Sequence, residues 1–539
     1  MSFTILRKAL SILGAGAFIV ATVHAQSAVQ QSASAQAGRD RELFQAAIGD
    51  IRDGHEDAGR MELNKLQARQ AVQANPYSAE AQYNLGRALE IDDKYEEAAQ
   101  AFAEAIKLKP DYEAAYKRAA EAYHQLKRFD DEIRTYRQYL SVNPDSVLML
   151  HSLATALENR ERYSEGIEVL RRIIELAPDD LNSRNQMGWF YIKMSRFDDA
   201  AGVLREQTAL HPDSAISYHN LGWAYFKLHR YEDALTAYQQ ALQVDPQYDQ
   251  APKVYRELGI TYNGLGRHTE ALEALKKSLE LDEDYTEGLQ ELGRTYFLLH
   301  RYEESIQTLS KALEIKPGDP HSLMGLGLAN LPLGRFETAE QALREAIRNK
   351  PDLVEAYSPL AAILARQQKF AEADELMKAS VRAAPNNASA HNMLAAYLNQ
   401  REKGAEAEAE LREALRIEPN NAMALNNLGY YMVEHDRNLT EALNLIQRAV
   451  EADPGNPSFL DSLGWAHFKL NHLEEAEKYL TLAANTARSA SMVEHLGDLY
   501  DRIGKKEAAQ REWQRALSLP ASAAQTARLK SKLGIETNK

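Results

Sequence analysis

The chain has 539 residues, a formal net charge of -15 and no cysteine. That balance leaves no basic surplus to displace phosphate counterions, which argues against a nucleic-acid partner. Without cysteine no disulfide can form, and no lipid can be attached at a mature N-terminus. Ala, Leu, Glu, Gln and Arg dominate while strand formers are sparse, the profile of an all-α protein.

The N-terminus comes first. Arg7 and Lys8 precede an uncharged, mostly apolar run over 9–23, and Val23-His24-Ala25 puts small residues at the two positions a signal peptidase reads. This predicts a signal peptide over 1–25, cleaved after Ala25. The apolar run, about 15 residues, falls short of the roughly 20 that a membrane-spanning helix needs. The expected mature protein is exported, periplasmic or secreted, is not a lipoprotein and has no membrane span. The next stretch, QSAVQQSASAQAG over 26–38, reads as a flexible leader.

From there a period takes over. Prolines stand at 76, 110, 144, 178, 212 and 246, a step of 34, and again at 317, 351, 385 and 419. Three extra residues, Asp249 to Ala251, and one near Asn438 account for the shifts in phase. The stretch LGWAYFKLHRYEDALTAY, 221–238, nearly returns as LGWAHFKLNHLEEAEKYL, 463–480, seven periods later. A fixed period of this length marks an array of equal units.

Each unit encodes a pair of helices. In the unit from Ala215, Gly222 and Ala234 are small enough to let two antiparallel helices approach, and Leu221, Tyr225 and Tyr238 fill the space beside them. Tyr231 sits where a hydrophobic staple holds the turn, Glu232 and Asp233 suit the positive end of the second helix, and Pro246 stops it.

These residues resemble the tetratricopeptide repeat: a Leu-Gly pair, then Tyr, Ala, an aromatic, Ala and Pro. The resemblance implies a right-handed superhelical solenoid of about thirteen helix-turn-helix repeats, with the first helices lining a concave face. The expected layout is a degenerate helix pair over 39–78, repeats 1–5 over 79–248 and repeats 6–7 over 252–319. Repeats 8–9 follow over 320–387, repeats 10–13 over 388–521, and a C-terminal capping helix and tail over 522–539. Pro317, Pro320, Pro332 and Pro359, among four glycines, predict a soft hinge over 317–360, with Pro332 in a helix's last turn and Pro359 inside a helix by register.

No motif for catalysis, cofactor or metal binding stands out from the array: HExxH, GxSxG and P-loop patterns are all missing from the sequence, and the histidines are scattered. Function is therefore expected at the positions that packing leaves free. With the orientation the resemblance supplies, these are the second, fifth, ninth, twelfth and thirteenth residues of each unit. The ninth holds Trp189, Trp223, Tyr430 and Trp465, including three of the chain's 4 tryptophans, and the twelfth holds Phe226, Phe297 and Phe468. Rigid aromatics beside polar groups are what interfaces use for affinity. The polar neighbours are Asn185, Lys193, His219, Asn220, Lys227, Asn426, Asn427 and Lys469. Asn84, Asn220 and Asn427 share the sixth position, where peptide-binding members of the family present asparagines, but Arg118, Glu257, Glu291, Gly325, Pro359 and Met393 break the ladder.

The last third is similar to the C-terminal block of exported Gram-negative repeat proteins, among them adaptors for carboxyl-terminal processing proteases. The resulting expectation is a non-catalytic scaffold that binds partner proteins, as peptide segments or folded domains, in envelope protease, export or cell-wall complexes. The alternative is a stoichiometric accessory subunit of a single envelope enzyme.

Overall fold

The computed structural model describes residues 45–46, 56–486 and 489–535, and the signal peptide and leader expected over 1–38 lie outside them. Among the described residues the chain forms 28 α-helices, one short 3-10 helix and no strand. Two compact units are distinguished, residues 1–254 and 255–539.

The hairpin is the same in both. A first helix such as Ala215–Lys227 is followed by a short turn and a second helix, Tyr231–Val244. The turn needs one left-handed residue, supplied by Ser195, His229, His300 and Asn471 at φ of 57°, 57°, 58° and 62° and by glycine at Gly266 and Gly334. Thus His229 and His300 are turn residues, each with Nδ1 within 2.9 Å of a following tyrosine hydroxyl. Second helices end on an extended residue such as Asp245, at φ -145° before Pro246, a geometry that a following proline favours and that Asp282 keeps at φ -144° with Glu283 after it.

Packing within the hairpin is as the pattern predicts. Leu221, Tyr225, Ala234, Tyr238 and Ala241 are all buried. A methyl group added at Gly222 would stand 2.6 Å from the Tyr238 ring, and one at Gly464 2.7 Å from Leu480. No side chain fits there.

In the N-terminal unit an apolar core runs from Leu89 to Leu157. Ahead of it the helix Glu56–Ala74 is tied down by Lys65, buried and 2.6 Å from Asp92. The earlier half of the helix pair expected over 39–78 falls largely outside the described residues.

In the C-terminal unit one core runs unbroken from Leu323 to Leu499. It passes through the span expected to be a hinge, and the prolines there are not where helical register puts them. Helix Pro320–Asn330 ends before Pro332, which lies in the turn. The next first helix starts late: a 3-10 turn, Val354–Ala356, precedes the α-helix Tyr357–Arg366. Pro359 therefore occupies a first turn, where a missing N–H costs no hydrogen bond. Leu353, Val354, Tyr357, Leu360 and Leu364 are buried around it. The array ends in helix Ala523–Lys532, with Leu529 buried beneath it.

Candidate protein-binding face

Five first-helix positions per hairpin were expected to face a partner, and the two units treat them differently. In the N-terminal unit, helix Leu181–Lys193 presents Trp189, partly exposed, with the Lys193 ammonium 4.5 Å from the ring centre. One hairpin on, Trp223 repeats the arrangement: it stacks on Phe226 at 5.6 Å and 18°, with the Lys227 ammonium 5.0 Å away. Neither lysine has an ion-pair partner among the described residues. His219 is largely buried, with its ring 6.2 Å from Tyr238 and 6.3 Å from Tyr248, and still lines the cavity beside Trp189.

Between these two helices lies a cavity of about 440 Å³ lined by Asn182, Asn185, Trp189, Ile216 and Asn220, with Glu158 at one side. Glu158 is already engaged, accepting from Gln186 Nε2 at 2.7 Å. Asn185 is 9% exposed and its carbonyl Oδ1 is buried without a hydrogen-bond partner. A buried acceptor left unmade costs about 1–3 kcal/mol, which an incoming N–H would recover. Ile216, at the second position, is 48% exposed beside it, and Leu148 holds the same position two hairpins earlier, 50% exposed. Asn182, Asn185 and Ile216 stand at positions of the predicted stripe. Asn185 is among the polar neighbours the sequence offers, whereas Asn182 and Ile216 are not marked by the aromatic pattern.

In the C-terminal unit the equivalent aromatics are closed off. Trp465 and Phe468 are each only 9% exposed. The Trp465 indole stacks on Phe468 at 4.6 Å and on His495 of the next hairpin at 4.2 Å, and its Nε1 donates to Glu434 Oε1 at 2.6 Å. Arg502 covers the Phe468 ring at 5.1 Å. Lys469 is ion-paired to Asp436 at 3.1 Å. The expectation that Trp465 and Phe468 offer their rings to a partner is therefore corrected: the next first helix already occupies them.

His495 lies 3.0 Å from both carboxylate oxygens of Asp461, and both residues are buried. Burial pushes the imidazole toward neutrality, but the Asp461 carboxylate and its hydrogen bond prevail and hold the pKa above the ordinary value. Beside it, burial would raise the Glu494 carboxyl, yet Arg528, Lys532 and Gln525 of the terminal helix hold it down to about 2. Helix Ala523–Lys532 thus engages Ser491, Glu494 and Asp498 of the preceding hairpin.

Four further residues fall between these extremes. Asn426 is buried with Oδ1 unpartnered, and Asn427 donates to Asn392 Oδ1 at 2.9 Å. Tyr430 is partly buried, and burial raises its phenol pKa. Phe297 lines a separate cavity of about 330 Å³ with Arg294, His321, Met324, Gly325 and Leu328.

Comparison with known proteins agrees with the hairpin geometry. Residues 65–113, 400–457 and 433–492 match one tetratricopeptide repeat model, and 91–157 match a second. The chain is built from tetratricopeptide repeats. Residues 201–428 also match the model of the cilia and flagella-associated protein 70 C-terminal domain. Among solved structures, yeast Tom70 is 18% identical with a TM-score of 0.43, covering 82% of this chain and 97% of its own. A MamA protein is 22% identical with a TM-score of 0.30, covering 32% of this chain and 93% of its own. The C-terminal part of a repeat-containing protein from Cytophaga hutchinsonii is 20% identical with a TM-score of 0.35, covering 45% of this chain and 98% of its own. The comparison with curated proteins gives no match. Among the described residues of this repeat array, no helix is long and apolar enough to cross a membrane.

Proposed function

We propose that this protein is a non-catalytic scaffold whose N-terminal unit holds a segment of a partner protein across the first helices of the repeats over 181–227. The observation that carries this reading is the cavity beside Trp189, where the Asn185 carbonyl oxygen is buried and lacks a donor. A peptide main chain supplies such N–H groups at regular spacing, and Trp189 and Trp223 give it rigid apolar platforms. The basic start, the apolar run and Ala25 support export of the chain, with assembly of an envelope protease, export or cell-wall complex as its task.

The test is a photo-crosslinking residue placed at Asn220 and, separately, at Tyr123 on another first helix, in full-length protein within envelope extract. Crosslinks to a protein partner from position 220, lost on Trp223→Ala with unchanged thermal stability, support the reading. Equal crosslinking from both positions, insensitive to Trp223, contradicts it.

A further inference from the structure

The two copies of the Trp-Ala-x-Phe-Lys sequence differ in who satisfies them. In the C-terminal unit the chain itself provides two carboxylates: Glu434 accepts from the Trp465 indole and Asp436 pairs with Lys469. Both come from the end of the preceding first helix and its turn, helix Ala422–Glu434 with Asp436 as the left-handed turn residue. At the same two places before Trp223 the chain has Lys193, the last residue of helix Leu181–Lys193, and Ser195, the left-handed turn residue. One carboxylate has become an ammonium and the other a hydroxyl. Among the described residues, the Trp223 indole N–H has no hydrogen-bond partner and Lys227 no carboxylate.

The charged free positions of the two hairpins are both lysines, and the one carboxylate lining the cavity, Glu158, is bonded to Gln186. None of the free positions of the two hairpins, from Asn182 to Lys227, is acidic. Glu161 holds the turn position one hairpin before Ser195, but no ion pair joins it to Lys193. This is a local cationic face on a chain whose net charge is -15.

We infer that the occupant of this face is an acidic stretch of a partner protein, whose carboxylates take the places that Glu434 and Asp436 fill in the C-terminal unit. One side-chain carboxylate accepts from the Trp223 indole and another lies between the Lys193 and Lys227 ammonium groups. A main-chain N–H of the same stretch donates to Asn185 Oδ1. The inference rests on the scaffold reading above and adds the chemistry of what is bound. A polynucleotide would also bring negative charge, but two lysines release too few counterions to hold one, and it offers no regular N–H donors to Asn185. Opposite charge across such a face sets partner choice and encounter rate.

The experiment uses full-length protein and an array of short random synthetic peptides, with wild type, Trp223→Ala and Lys193→Glu/Lys227→Glu proteins compared. Both lysines are exposed, so the double variant folds as wild type does, which circular dichroism and thermal melting check. The result expected is that Trp223-dependent binders are enriched in Asp and Glu, and that their affinity falls about tenfold or more in the double variant and with added salt. Trp223-dependent binders that are neutral or basic, or that ignore the two lysines, overturn the acidic occupant and leave the scaffold reading standing. No Trp223-dependent binder at all removes both. Binding of oligothymidylate that is lost in the double variant replaces the acidic peptide with a nucleic acid, and salt-sensitive self-association lost in that variant replaces it with a second copy.

Discussion

Trp223 and Trp465 stand in nearly identical sentences of sequence, and the structure gives them opposite circumstances. Trp223 is partly exposed beside an unpaired lysine, whereas Trp465 is sandwiched between Phe468 and His495 with its N–H and its lysine both satisfied. A repeat's own residues fix its hairpin. Whether its outer ring is surface or core is decided by the hairpins on either side, here by Glu434 before it and His495 after it. In a solenoid, where each unit touches only its neighbours, that is the expected reach of a side chain.

The largest effect separating the two regions should be on stability. Trp465→Ala empties a packed site and is expected to cost about 3–5 kcal/mol, while Trp223→Ala costs about 1 kcal/mol. Denaturant melts of the two variants measure this, and equal losses would mean that Trp223 is packed after all. The hairpin interior should not distinguish the regions: Gly222→Leu and Gly464→Leu each drive a side chain into a ring or leucine below 3 Å and should each cost about 1–3 kcal/mol or more.

A charge swap sharpens the comparison further. Glu434→Lys gives the C-terminal unit the residue that precedes Trp223, and strands the buried Trp465 N–H at a cost of about 1–3 kcal/mol. Lys193→Glu, the reverse change, should leave thermal stability within about 0.5 kcal/mol of wild type while weakening capture of partners.

The smallest effect is in pH dependence, confined to the C-terminal end. His495 has a folded pKa above its unfolded value, so its contribution is full below about pH 6.5 and is lost as pH rises through the folded value. Glu494 is shifted the other way, so its contribution is full above the ordinary carboxylate value and is lost as pH falls toward about 2. Around His495 stand Asp461, Glu434, Asp498, Trp465 and Tyr430. Melting temperatures across this range, with Asp461→Asn as control, should show a decline above neutrality in wild type that the variant lacks.

Most of the architecture was legible in the sequence because it is local. The step of 34, the Leu-Gly pair and the terminal proline specify a hairpin without reference to anything distant. Two kinds of feature were not. Register puts Pro359 inside a helix, but a helix start can slip by one turn, and a 3-10 turn over Val354–Ala356 lets it do so. The repeat pattern leaves the positions of the aromatic stripe free and so predicts exposed rings. His495, Glu434 and the terminal helix carrying Arg528 fill those positions in the C-terminal unit, through pairings about one period away. The repeat pattern carries no record of which neighbouring side chain, a period before or after, will cover a ring.

The central claim is that the Trp189–Trp223 face is open for a partner and the Trp465 face is closed by the chain itself. Hydroxyl-radical footprinting of the intact protein, read by mass spectrometry with and without a selected acidic peptide, addresses both halves in one sample. The account predicts rapid oxidation of Trp189 and Trp223 that the peptide suppresses, beside slow oxidation of Trp465 that it leaves unchanged. Rapid oxidation of Trp465, or protection there instead of at Trp223, would contradict it.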